Sequence, residues 1–157
     1  IRNDQFIIFD VKPKTAEYIK SKMSELQLAA SVSHPYDIER YNQAVDGTLM
    51  SLDELIANRH LYSWAWLDEW DLTDRNGARK KFCTAETFKI LRDNEIKIAL
   101  VTPELHAKSP GLLGGEAHED GVDPSRLNIR LHELVSLQPD IICTDNPDQV
   151  KNIIEEK

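Results

Sequence analysis

The chain has 157 residues, carries 27 acidic against 19 basic side chains, and has a formal charge of −8. With an isoelectric point near 5.1, it lacks the basic balance that a nucleic-acid binder needs for its phosphate-facing surface. Its 41% hydrophobic and 29% charged residues suit one soluble domain with a real core, and no apolar run approaches the ~20 residues that span a bilayer. No signal peptide opens the chain, and its first residue is Ile1 rather than Met, which points to a natural N-terminus lying further upstream. Cys83 and Cys143 stand far apart with no CxxC spacing. They are expected as reduced structural thiols in a reducing, cytoplasmic compartment and not as a zinc knot.

The first predicted element is a strand in "FIIFDVKP", residues 6–13. Alternation puts Asp10 and Lys12 on one face with Phe6 and Ile8, and Ile7, Phe9 and Val11 on the other. A strand apolar on both faces belongs in a buried, usually parallel sheet. "KTAEYIKSKMSEL" follows as a helix, with Ala16, Ile19, Met23 and Leu26 at helical spacing. "LAASVSHP" reads as a second strand and "YDIERYNQA" as a short helix after Pro35. A capping box from Ser51 to Glu54 starts another short helix in "SLDELIAN". "HLYSWAWLD" is the third strand, and "TAETFKILRDN" a helix that stops near Asn94. "IKIALVTPE" is the fourth strand and "SRLNIRLHELVSL" a helix. The chain ends in a fifth strand and a last helix within "DIICTDNPDQVKNIIEE", with Asn146 as cap and Pro147 in the first turn.

Strand and helix therefore alternate about five times, without internal repeat or flexible linker. Such alternation means a parallel sheet with right-handed crossovers. An open doubly wound sheet and a (β/α) barrel both fit. Five units complete an open sheet but only part of a barrel, which needs about 250 residues.

Polar residues gather at the strand ends: Asp10 and Lys12 on the first, His34 on the second and Asp68 on the third. Glu104 and His106 end the fourth, and Asp145 the fifth. In a parallel sheet all of them meet around one mouth, where α/β folds build their sites. Asp145 is equally well read as a cap of the last helix. His60 and His132 read as surface positions. Trp64, Trp66 and Trp70 read as core and rim packing rather than a stacking platform for bases. The glycine-rich stretch "AKSPGLLGGEAHEDGVDP" is either a lid or a disordered excursion, and its His118 and Glu119 are not at metal-ligand spacing.

The strand "IIFDVKP" resembles the acid-x-Lys strand of glycerophosphodiester phosphodiesterases and their phospholipase C-like relatives. "WAWLDEW", "KIALVTPELHAKSP" and "PDIICTDNPDQV" resemble the sixth, seventh and eighth strands of that barrel, in order, the last close to the family's "TD-x-P" signature. The resemblance covers nearly the whole chain but only the last five of the eight β/α units. It implies a parallel (β/α) barrel and a metal-dependent phosphodiester hydrolase of lipid and glycerol metabolism, acting on a small-molecule phosphodiester. It further implies Asp10 as a carboxylate ligand of a divalent metal, Mg²⁺ or Ca²⁺, where many members have Glu. Lys12 is implied as the catalytic cation that neutralises a phosphate oxygen, and His34, Trp66, Asp68, Glu104 and His106 as the substrate-binding set. The family's paired catalytic histidines and Glu-x-Asp ligands come from its first three units, and this sequence has no His-Arg opening motif and no Glu-x-Asp after a glycine-rich turn. The chain alone is therefore expected to be inactive, and to self-associate or pair with a missing N-terminal half.

Two alternatives follow from other residues. "AVDGTLMS" resembles the "D-x-D-G-T" loop of haloacid dehalogenase-type phosphatases, but Ala44 stands at the nucleophile position. A non-catalytic binding domain for a phosphorylated small molecule would need the rim without the histidines.

Overall fold

The computed structural model describes residues 6–45, 47–67, 76–77, 80–103, 119–121 and 123–156. The chain runs β1 (Ile7–Ile8), α1 (Pro13–Lys22), β2 (Gln27–Val32), α2 (Pro35–Val45), α3 (Leu52–Ala57) and β3 (Trp64–Leu67). It continues through α4 (Ala85–Asp93), β4 (Lys97–Val101), α5 (Pro124–Ser136), β5 (Ile141–Cys143) and α6 (Pro147–Glu155). All four strand pairings are parallel, and the spatial order β1-β2-β3-β4-β5 is the order of the sequence. A sheet without a reversal of strand order has no switch point, so the doubly wound alternative falls. The strands curl into a half-barrel.

Local chemistry explains most boundaries. The Ser51 hydroxyl accepts the Glu54 N–H at the start of α3, and the Thr84 hydroxyl accepts that of Thr87 at the start of α4. Asp123 accepts from Ser125 and Arg126 ahead of α5. Each cap satisfies N–H groups that a first helical turn leaves without partners. Proline opens α1, α5 and α6, where its missing N–H costs nothing. The first strand is much shorter than "FIIFDVKP" suggests. Only Ile7 and Ile8 pair, with Gln27 and Leu28.

The two faces of the sheet differ in what covers them. Leu28, Ala30 and Val32 of β2, Ala65 and Leu67 of β3, and Ile98 and Leu100 of β4 form one buried cluster. With them pack Ala16 of α1, Leu55 of α3, Phe88 and Leu91 of α4, and Leu134 of α5. This is the helix-covered face. A second cluster joins α5 and α6 through Leu127, Leu131, Val135, Val150 and Ile153. The opposite face carries Ala29, Trp64 and Ala99, with Ile7 and Trp66 packed against them. It is the concave side, which a barrel turns toward its axis.

The sheet ends in β1 and β5, each paired on one side among the described strands. Phe6, Ile8 and Phe9 at one edge and Ile141 at the other are 37–49% exposed. No described helix is long and apolar enough to cross a membrane.

Candidate functional site

Asp10 lies just past the end of β1 and is exposed. Unbroken alternation would leave it on the face of Ile8, whose register partner Leu28 belongs to the helix-covered side. That assignment is corrected by the backbone: Asp10 has φ 59°, in the left-handed region. The turn carries its carboxylate to Ser31, whose register partner Trp66 lies on the concave face. Ser31 Oγ donates to Asp10 Oδ1 at 2.5 Å, and Thr48 Oγ1 donates to the same oxygen at 2.9 Å. Aspartate tolerates this region better than most residues. A non-glycine residue held there still costs on the order of 1–3 kcal/mol, and such conformations persist where their surroundings over-determine them. Both hydrogen-bond contacts of Asp10 among the described residues are hydroxyls.

Thr48 arrives by a built turn. After α2 the Asn42 side chain clasps Leu49 through both its groups, donating to the carbonyl at 2.8 Å and accepting the N–H at 3.1 Å. Gly47 packs against Tyr41 so closely that a Cβ there would lie 2.3 Å from the ring. Met50 then bridges to Val32 in parallel sense, its N–H donating to the Ser31 carbonyl at 2.9 Å. Val32 already pairs with Leu67 on its other side. Met50 therefore takes the side of β2 that β1 leaves open beyond Leu28. In the stretch "AVDGTLMS", the described residues after α2 serve to deliver Thr48; they follow a helix and not the strand a phosphatase nucleophile loop requires.

The other expected residues are distributed unevenly. Lys12 is exposed and is the N-cap of α1, its carbonyl accepting from Thr15 and Ala16. It thus starts the helix instead of extending the strand. His34 is half-buried after β2. Its Nδ1 accepts the Tyr36 N–H at 3.2 Å and its carbonyl those of Asp37 and Ile38, so it shapes the entry to α2. Trp66 is half-buried on the concave face and stacks on Phe9, with centroids 4.5 Å apart and planes at 13°. Trp64 is buried and donates its Nε1–H to Gln27 at 2.5 Å, a packing role. Asp68, Trp70, Glu104, His106 and His118 lie outside the described residues. His60, His132 and Asp145 are exposed, and Asn146 occupies the N-cap position of α6 without a side-chain cap hydrogen bond.

Sequence reasoning missed Ser31 and Thr48, the donors to Asp10. It also missed a buried ion pair elsewhere, in which Lys80 ahead of α4 bonds Asp37 in the first turn of α2, with its ammonium 5.6 Å over the Tyr36 ring. A lone serine inside the apolar strand "AASV" was the available signal for Ser31. Thr48 and Lys80 carried none.

The oxygen chemistry at Asp10 fits one coordination position of a hard cation. Its Oδ1 is held by hydroxyls, as second-shell partners hold a ligating carboxylate, and its Oδ2 has no hydrogen-bond partner among the described residues. No group of three or more His, Cys, Asp or Glu among the described residues could hold an ion, so Asp10 would be one ligand of a larger set. No known protein-family profile matches the chain, and no curated protein is significantly similar to it.

Proposed function

We propose that the chain supplies part of the active site of a phosphodiester hydrolase of the glycerophosphodiester phosphodiesterase kind, acting on a small-molecule phosphodiester with Mg²⁺ or Ca²⁺. The observation that carries this reading is Asp10. A strand-end carboxylate is turned out of its alternation into a left-handed conformation and held toward the concave face by two hydroxyls. Such an arrangement is costly for a residue with no task and reasonable for one that must aim an oxygen into a mouth. A divalent ion at such a site would neutralise developing phosphate charge and activate the attacking oxygen. Asp10 offers it one hard oxygen. Lys12, exposed two residues on, would place an ammonium against a phosphate oxygen as charge builds. The stacked, partly open Phe9 and Trp66 would give the leaving group an apolar wall. The acid and base of bond cleavage have no counterpart in this sequence, so turnover belongs to a longer polypeptide or to a partner that supplies them.

The test is hydrolysis of glycerophosphocholine and lysophospholipids by the full-length protein, with and without Mg²⁺, Ca²⁺ or chelator. Asp10→Ala should remove the metal dependence, and Lys12→Ala should lower turnover by about 10²–10³-fold, as loss of a transition-state charge donor does. Unchanged turnover in both variants would sink the reading. A binding domain for a phosphorylated small molecule is the second reading, favoured by the absence of a His-Arg motif and of a Glu-x-Asp after a glycine-rich turn. Saturable, Asp10-dependent binding of glycerophosphocholine without turnover would decide for it.

A further inference from the structure

We infer that the two open edges of the sheet are the interface for a second copy of this chain, with two half-barrels closing into one ring about a two-fold axis along the barrel. The first observation is where apolar surface stays uncovered. Among the described residues, every exposed large hydrophobic side chain lies in or beside β1 and α1, or in α5, β5 and α6; β2 to β4 and the helices between them expose none. Single exposed apolar residues are ordinary on a surface, but their sorting to two opposite edges is not. The second observation is charge. Helix α1 with its caps, residues 12–23, carries four lysines against Glu17, and α6 with its caps, residues 146–156, carries Asp148, Glu155 and Glu156 against Lys151. In a chain of formal charge −8, one edge is thus basic and the other acidic. Lys14, Tyr18 and Lys22 recur every fourth residue and share an exposed face, whereas Glu17 acts on Tyr62 before β3, toward the middle of the sheet. At the other edge β5 and α6 bound an open groove of about 410 Å³, with Asp140, Ile142, Lys151, Ile154 and Glu155 in its walls.

Parallel topology makes these edges fit each other. Setting β1 of a second copy beside β5 continues the sheet in the sense of its four existing pairings. It also brings the basic α1 of that copy next to the acidic α6 of this one, since each helix follows its strand. A two-fold axis repeats the contact on the other side, and both edges are consumed. Ten strands enclose a wider interior than eight, and the concave face brings the indoles of Trp64 and Trp66 to it. Pairing β1 with β1 of the second copy would instead set lysines against lysines. An unrelated partner would have to match each edge separately, whereas these edges match one another. Association of this kind obeys mass action, so dilution returns the half-barrel with its edges open.

Sedimentation velocity of the chain over a range of concentrations, at low ionic strength and in about 1 M salt, tests this. A species of twice 18.0 kDa is expected, tighter in low salt. Lys14→Glu with Lys22→Glu, and separately Asp148→Lys with Glu155→Lys, change exposed positions only and set like charges together at both contacts. Each double variant should self-associate about tenfold or more weakly. Mixed in equal amounts, the two variants again oppose unlike charges at both contacts and should dimerise within about threefold of wild type. Ile154→Asp, in the groove wall, should weaken the dimer in either salt and decides the matter should a charge variant fail to fold. A wild-type chain that stays monomeric, or one that grows into open-ended oligomers, would overturn the inference. So would a mixture no tighter than either variant alone, which would show that the basic and acidic edges do not meet, or unchanged association in Ile154→Asp.

Discussion

The middle of the sheet and its two edges are written in similar apolar residues and are treated differently by the fold. In "QLAASV", "WAWL" and "KIALV" nearly every side chain is buried on one face or the other, Leu28, Ala30, Leu67 and Ile98 completely. "FIIF" and "IIC" leave Phe6, Ile8, Phe9, Ile141 and Cys143 exposed. The middle strands have a partner on each side and helices from two crossovers above them. An edge strand has one partner. An apolar run therefore states what a strand could bury, and its neighbours decide how much it does bury.

The largest test of that contrast is truncation of matched positions. Leu28→Ala, fully buried in β2, should cost about 2–5 kcal/mol, the range for a core leucine whose site cannot collapse. Its register partner Ile8 is 37% exposed, and Ile8→Ala should cost no more than about 1 kcal/mol, since less area returns to water. Urea unfolding of both variants measures the difference. Equal losses would mean that the edge is as buried in solution as the centre, with something seated on it.

The same contrast explains what could be read in advance. Helix starts depend on two or three adjacent residues, so the Ser51 cap, the Asn94 stop and the Pro147 start were legible and stand as expected, while the return bond from Glu54 that would complete a capping box is not formed. The parallel sheet was legible from alternation, and its sequential order then separated barrel from open sheet. The site was less legible because it is made of long-range contacts. Nothing beside Thr48 announces that it will meet a carboxylate 38 residues away. Strand alternation assigned Asp10 to the face of Ile8, and a single left-handed residue undid that assignment. His34 stands just past the end of β2, where its imidazole Nδ1 accepts the Tyr36 N–H at the turn into α2.

A smaller effect concerns how the β1 edge is fastened to the centre. Tyr62, 2% exposed before β3, donates its hydroxyl to the Val11 carbonyl at 2.7 Å across 51 residues. Tyr62→Phe leaves that carbonyl without its donor and should cost about 1–2 kcal/mol. Burial, helped by Glu54 and Glu17, pushes the Tyr62 hydroxyl up to about 12, against about 10 in an unfolded chain. The folded state thus keeps a proton that the unfolded state has lost. The stability this supplies is whole below pH about 10 and disappears as pH rises through about 12. Unfolding measured across pH 9–11 should show wild type losing its advantage over Tyr62→Phe as pH rises; a constant gap would show that the hydroxyl titrates normally.

The smallest effect lies near the opposite edge, where fastening is by surface charge. Glu133 on α5 accepts from Arg130 at 2.7 Å and from Lys81, ahead of α4, at 3.0 Å. Those hydrogen bonds, the one from Arg130 foremost and then that from Lys81, hold its carboxyl below the usual carboxylate range. A group with a depressed folded value adds stability above its unfolded value and loses it as pH falls through the folded one. The gain should therefore be present at neutral pH and fade under acid conditions. Glu133 and Lys81 are both well exposed, so solvent screens the pair and Glu133→Gln should cost roughly 0.2–1 kcal/mol. Unlike the Leu28 and Tyr62 effects, this one should shrink in 1 M salt, where charge interactions reach only about 3 Å. Arg130 is the one buried member, 3% exposed, and is also within 3.5 Å of the Cys83 carbonyl. Arg130→Met should therefore cost more than Glu133→Gln. Comparing the two in low and high salt separates packing at this edge from charge: a loss at Arg130 that persists in salt is packing, and one that vanishes means the edge is tied by charge alone.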